Sequence, residues 1–173
     1  MSIATLREEI KDFAKDTRIN LGTVLNEEGA PGLTQSQIYG IALSLAYSLK
    51  NKKLTEALLE DAVGTLSDEH IVAAQSAASI MAMNNIYYRS LHLIENEELS
   101  KMPAKLRMNV IGRPGIEKVD FELYSLAVSA LSGCGMCLKA HVNELQKAGM
   151  TNEGIQSSLR IAAVINAAAH AIN

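Results

Sequence analysis

The stretch Phe121-Glu122-Leu123-Tyr124-Ser125-Leu126-Ala127-Val128-Ser129-Ala130-Leu131-Ser132-Gly133-Cys134-Gly135-Met136-Cys137-Leu138-Lys139-Ala140-His141 decides how the chain is read. From Leu123 to Leu138 it has no charged residue, but Ser, Gly and Tyr interrupt it too often for a membrane span of about 20 apolar residues. It reads as a buried core helix from about Lys118 to Leu131, a break at Ser132-Gly133-Cys134-Gly135, and a second helix to Ala148. Gly149 then stands where a C-capping glycine belongs, and Thr151 or Asn152 caps a last helix to the C-terminus.

The rest of the chain follows the same scheme. Ile3, Leu6, Ile10, Phe13 and Ala14 are spaced for one face of a first helix from Ile3 to about Asn20. A loop follows around Asn26 to Gly32, and Thr34 with Gln37 forms a capping-box start for a helix to about Leu49. A short helix is expected from Leu54 to Val63, and Ser67 caps a long block from Asp68 to about Leu93. Pro103, Gly112, Pro114 and Gly115 mark a connecting region in which Lys105 to Ile111 reads as a short extended piece. No run has a convincing strand period, so the expected fold class is all-α, with residues 1–173 forming one domain. An offset of 53 residues aligns Ala74 with Ala127, Ser76 with Ser129, Ala77 with Ala130, Ser79 with Ser132 and Met83 with Met136, the pattern of a duplicated helical unit.

Composition narrows the function. Of 173 residues, 48% are hydrophobic, 20% charged and 4% aromatic; 16 basic against 19 acidic residues give a formal charge of −3. Such a chain buries a real core, is not intrinsically disordered, and has no electrostatic footprint for nucleic acid. Met1 to Ile10 is charged within its first turns and lacks the apolar region of a secretory signal, so a cytoplasmic location without membrane attachment is expected. Several helices are apolar nearly all round, Ile161 to Ile172 above all, and a domain of this size cannot centre every one of them. Homo-oligomerisation is the inference.

Two cysteines occur, Cys134 and Cys137, and one close pair in such a chain points to redox chemistry or metal binding. On a helix, Cys134 and Cys137 are i,i+3 neighbours and Cys137 and His141 are i,i+4 neighbours, so both sulfurs and the imidazole share a face. Gly133 suits a chain break that leaves the cysteines in the first turn, where unpaired N–H groups and the helix dipole favour thiolate. Glu122 lies 11 residues before Gly133 and His141 8 residues after it. At 1.5 Å per residue these arms are roughly 16 and 12 Å long, so a helical hairpin can bring the two side chains together. A carboxylate on one imidazole nitrogen fixes the tautomer and leaves the other to take a thiol proton. A zinc site lacks a fourth ligand at the usual spacing, since His170 is 29 residues beyond His141, and haem attachment is removed by Leu138 directly after Cys137. Two inert buried cysteines remain an alternative. His70, His92 and His170 read as structural, Met81, Met83, Met102, Met108 and Met136 as core filler, and Lys50, Lys52 and Lys53 as a solvated helix end.

Glu122, Cys134, Cys137 and His141 in this spacing resemble the signature of the alkylhydroperoxidase AhpD family, within the carboxymuconolactone decarboxylase-like superfamily. The resemblance runs over nearly the whole chain, through Met1-Ser2-Ile3, Ala14-Lys15-Asp16, Asn20-Leu21, Met83-Asn84-Asn85 with Tyr88-Arg89, Leu106-Arg107-Met108-Asn109, Pro114-Gly115-Ile116 and Phe121-Glu122-Leu123. It implies an all-α fold, commonly homotrimeric, that reduces organic hydroperoxides and recycles the peroxiredoxin AhpC with electrons from dihydrolipoamide on a lipoyl carrier protein, a dihydrolipoyl acyltransferase. Under that resemblance Cys137 is the peroxidatic thiol that becomes a sulfenic acid. Cys134 is the resolving thiol and proton donor, the pair closes a redox disulfide, and Glu122 with His141 forms the proton relay. No bound cofactor or metal is implied. Helix position favours Cys134 as the more acidic thiol and the i,i+4 histidine favours Cys137; the resemblance sides with Cys137. Some members carry a histidine just before the second cysteine, where this chain has Met136. The rival expectations are a non-peroxidatic disulfide reductase and a carboxymuconolactone decarboxylase-like enzyme, which would not need the cysteine pair.

Overall fold

Cap chemistry sets most of the helix boundaries. The structure is a computed structural model that describes residues 1–172; among them it contains ten α-helices, one 3-10 turn and no strand. Helix α3 (Gln35–Ser48) opens on the expected capping box: the Thr34 hydroxyl accepts from the Gln37 N–H at 3.3 Å, and the Gln37 side chain accepts from the Thr34 N–H at 3.0 Å. Asn51 caps α4 (Lys52–Asp61), and Thr151 caps α10 (Asn152–Ala171) through the Gly154 N–H. Ser67 does precede α5 (Asp68–Ile94), but its hydroxyl bonds His70 Nδ1 at 3.0 Å instead of a backbone N–H.

Two expectations are corrected. The first helix does not run from Ile3 to Asn20; α1 (Ile3–Glu8) stops, a 3-10 turn spans Asp12–Ala14, and α2 (Lys15–Val24) follows. The break has a visible cause, since the Arg18 guanidinium bonds the Ile10 carbonyl at 2.8 Å and the Asp12 carboxylate at 3.1 Å, taking the place of helical continuation. Ile3, Leu6 and Ile10 are buried as the spacing predicts, whereas Phe13, beyond the break, is 79% exposed. The second correction falls between α5 and the helix that begins at Lys118. After the short α6 (Glu97–Lys101), the segment read as extended ends in one helical turn, α7 (Asn109–Gly112).

Helix α8 (Lys118–Ser132) is the centre of the molecule. Every residue from Phe121 to Ser129 is buried, and α3, α5, α9 (Gly135–Lys147) and α10 pack around it. Each fully buried large apolar side chain here, such as Phe121, Leu123 and Leu126, stabilises by about 1.5–3 kcal/mol. The approach of α3 to α8 depends on Gly40, because a Cβ there would collide with the ring and hydroxyl of the fully buried Tyr124. Burial, reinforced by the Asp120 charge, holds the Tyr124 phenol above its ordinary pKa, and its hydroxyl has no hydrogen-bond partner among the described residues. Because the colliding ring is fully buried, Gly40→Ala is expected to cost about 1–3 kcal/mol of overpacking. A lowered midpoint in urea unfolding at unchanged slope checks this; an unchanged midpoint contradicts it.

The alanine-rich end of α10 is only half covered within one chain: Ile161, Ala162, Ile165 and Ala168 are buried, while Ala163 and Ala167 are exposed. Among the described residues no helix is long and apolar enough to cross a membrane.

Candidate active site

The turn between α8 and α9 places the cysteines. Gly133 adopts the left-handed conformation (φ 62°, ψ 33°), its N–H bonds the Ala130 carbonyl at 3.2 Å, and the Cys134 N–H reaches the Ser129 carbonyl at 3.4 Å. This is a Schellman ending, for which glycine is the residue without a steric penalty. Cys134 is at the same time the N-cap of α9, its carbonyl accepting from the Leu138 N–H and its Sγ accepting from the Cys137 N–H at 3.3 Å. The connection between the two helices is thus Gly133 and Cys134 alone. Cys134 and Cys137 are joined as a disulfide across 5.3 Å between their Cα atoms, in the first turn of α9.

The hairpin also closes the carboxylate onto the imidazole. Glu122 Oε2 lies 2.7 Å from His141 Nδ1, and both residues are buried. A carboxylate only accepts, so Nδ1 carries the proton, and in the neutral imidazole the lone pair is then on Nε2. His141 stands one turn after Cys137 on α9. The structure therefore brings all four sequence-predicted residues into one place.

The two sulfurs are not equivalent. Cys134 is fully buried, whereas Cys137 is 7% exposed and lines a cavity of about 310 Å³ together with Glu122, Ala140 and His141. The remaining wall comes from residues the sequence reading did not assign to the site: Met81, Asn84 and Tyr88 of α5, Met108 and Ile111 around α7, and Glu144 of α9. Met81, Asn84 and Tyr88 fall at i, i+3 and i+7 on one face of α5, and that periodicity was the available signal. Of the methionines read as core filler, Met81 is buried as expected and also walls the cavity, Met108 walls it too, and the reading needs correction for Met102 and Met136, which are exposed at 61% and 45%. Glu144 sits at the cavity edge, where hydrogen bonds from Lys147 (2.8 Å) and then Lys118 (3.2 Å) hold its carboxyl below the usual carboxylate range. His70, His92 and His170 do not line the cavity: His70 lies 3.7 Å from Asp120, His170 Nδ1 donates to the Asn166 carbonyl, and His92 is exposed. Among the described residues no group of three or more His, Cys, Asp or Glu side chains is placed to hold a metal ion.

Two consecutive asparagines on α5 face this region differently. Asn85 is fully used: its Nδ2 donates to Ser132 Oγ at 3.2 Å and its Oδ1 accepts from Ser129 Oγ at 2.9 Å, while Arg89 donates to the Ser132 carbonyl at 3.0 Å. These bonds tie α5 to the last turn of α8, directly before Gly133. Asn84 lines the cavity, and its enclosed Oδ1 has no hydrogen-bond partner among the described residues.

Fold and site together define a class, the all-helical proteins in which a Cys-x-x-Cys pair opens one helix and a carboxylate–imidazole pair bridges that helix to its predecessor. The carboxymuconolactone decarboxylase family model matches residues 97–173. The chain is 52% identical over 172 residues to the alkyl hydroperoxide reductase AhpD of Hyphomonas neptunium, a match covering 99% of this chain and 94% of that protein. It is 49% identical to the AhpD proteins of Coxiella burnetii (164 residues, 95% and 93% covered) and Brucella anthropi (172 residues, 99% and 97% covered). The chain belongs to the AhpD family of alkyl hydroperoxide reductases.

Proposed function

We propose that the protein is a thiol-dependent alkyl hydroperoxide reductase, with Cys137 as the peroxidatic thiol, Cys134 as the resolving thiol and proton donor, and Glu122–His141 as the proton relay. The observation that supports the reading most directly is the asymmetry of the dithiol: Cys137, and not Cys134, shares a cavity with the bonded Glu122–His141 pair.

In the reduced protein His141 Nε2 takes the Cys137 thiol proton, and the thiolate attacks the terminal oxygen of ROOH. The S–O bond forms as the O–O bond breaks; RO⁻ leaves as ROH with a proton from the relay, and Cys137 is left as the sulfenic acid. Cys134 then attacks the Cys137 sulfur, its own proton leaving with the hydroxide as water. The resulting disulfide is the oxidised end of this cycle, the state described here. Reduction begins with a dihydrolipoyl thiolate on the sulfur of the cavity-lining Cys137. Cys134 leaves as a thiolate that the Cys137 N–H and the start of α9 favour, and the second dihydrolipoyl thiol releases the arm as the cyclic disulfide. The net reaction is ROOH plus dihydrolipoyl giving ROH, water and lipoyl.

In the same reading the electrons come from a dihydrolipoyl group on a carrier protein, the peroxiredoxin AhpC is a second oxidised client, and the protein works as a homotrimer in the cytoplasm, with no bound cofactor. Cumene hydroperoxide consumption by the purified protein with dihydrolipoamide, together with thiol titration, tests the core of it. Two thiols lost per peroxide in the first turnover, and continued consumption while dihydrolipoamide lasts, are expected. No turnover and no thiol loss would leave the reading without support.

A further inference from the structure

Asn84 is 6% exposed and lines the dithiol cavity, yet its Oδ1 meets no donor among the described residues. The neighbouring Asn85 shows what a structural amide on this helix looks like, with both ends engaged by α8. Asn84 does no such holding. An enclosed acceptor at a reactive centre asks for a donor that arrives with the chemistry.

The acceptor inventory of the cavity says which donor. In the reacting state His141 has taken the thiol proton, so both ring nitrogens are donors, Nδ1 toward Glu122 and Nε2 toward the leaving oxygen. Glu122 Oε2 is held by His141, and the two Glu144 oxygens are held by Lys147 and Lys118. Among the neutral acceptors of the wall the Tyr88 hydroxyl can also donate, whereas Asn84 Oδ1 can only accept, is enclosed, and has no donor among the described residues, which suits it to the one O–H of a hydroperoxide.

We infer that Asn84 is a substrate-orienting residue: its Oδ1 accepts the terminal O–H of the hydroperoxide while the Cys137 thiolate attacks that same oxygen. This rests on the peroxidase reading above. Holding the O–H to one side turns the O–O bond in line with the incoming sulfur. The S–O bond forms, the O–O bond breaks, RO⁻ takes the His141 Nε2 proton, and the original O–H proton stays on the oxygen now bound to Cys137. The same hydrogen bond then holds the sulfenic acid.

The test compares half-reactions. Fully reduced wild type, Asn84→Leu, which removes the acceptor at similar volume, and Asn84→Ala, which asks less of the packing, are mixed with cumene hydroperoxide and the loss of thiols is followed. Their disulfide forms are separately reduced with dihydrolipoamide. The rate ratio of oxidation to reduction is expected to fall about 10-fold or more in both variants, the equivalent of one lost hydrogen bond. Wild-type ratios in both variants, whether both steps are unchanged or both fall together, overturn the Asn84 assignment and leave the peroxidase reading standing. A wild type whose thiols do not react with peroxide overturns both.

Discussion

Cys137→Ser is expected to reduce hydroperoxide consumption to the rate of buffer alone, whereas pre-reduced Cys134→Ser, with no added thiol, performs one oxidation and stops. The reason is positional. Cys137 lines the cavity that also holds His141 and Glu122, and no other thiol in the chain reaches it, since Cys134 is fully buried behind the turn. A serine hydroxyl is far less acidic than a thiol and cannot become the nucleophile under these conditions. Without Cys134 the first step still proceeds, but the sulfenic acid has no partner with which to condense, so it persists and is captured by dimedone as an adduct on Cys137. The Cys134→Ser fold should survive, because serine is a favoured N-cap and its Oγ can accept the Cys137 N–H that Cys134 Sγ accepts now. With dihydrolipoamide present the sulfenic acid instead condenses with one dihydrolipoyl thiol, losing water, and the second dihydrolipoyl thiol frees Cys137 as the cyclic disulfide closes, so the single-oxidation test is run without added thiol. If Cys137→Ser keeps turnover while Cys134→Ser loses it, the two roles are exchanged.

Much of this centre is legible in the sequence because it is built from local rules. Gly133 as a left-handed stop, Cys134 in the first turn of α9, and the i,i+4 relation of Cys137 to His141 all follow from spacing within a dozen residues. The Glu122–His141 bond is longer in reach, yet with arms of 11 and 8 residues on either side of Gly133 a helical hairpin can bring the two side chains together. The Thr34–Gln37 box is readable for the same reason.

What escaped the sequence was decided at a distance. The break after α1 comes from Arg18, eight residues on, taking the Ile10 carbonyl, and hydrophobic spacing carried the pattern past it to Phe13, which is exposed. The cavity wall from Met81, Asn84 and Tyr88 depends on α5 lying against both α8 and α9, a packing relation that no local signal encodes. Asn84 and Asn85 are adjacent and chemically identical, and only tertiary structure separates the amide that ties α5 to α8 from the one that lines the cavity with its Oδ1 enclosed and without a donor.

Glu122→Gln is the second large effect, a fall on the order of 10²- to 10⁴-fold in the rate at which peroxide oxidises the reduced protein at neutral pH. The substitution keeps size and shape, so the core around α8 has little cause to rearrange. It does change what His141 Nδ1 meets at 2.7 Å. A carboxylate permits one arrangement, Nδ1 protonated and Nε2 free to accept, and it stabilises the imidazolium that forms when the thiol proton arrives. An amide presents a donor as readily as an acceptor, so the ring can settle with Nε2 protonated, and it offers no charge to the imidazolium. The Cys137 thiol then loses its base. A purely structural loss would lower the rate equally at every pH, whereas a lost base is replaced by hydroxide as the medium passes the ordinary thiol range near pH 8.5. The deficit of Glu122→Gln relative to wild type should therefore shrink steadily between about pH 7 and pH 10, because thiolate forms there without help from His141. A deficit that stays constant across that range would place Glu122 in the packing of the hairpin and remove it from the proton relay.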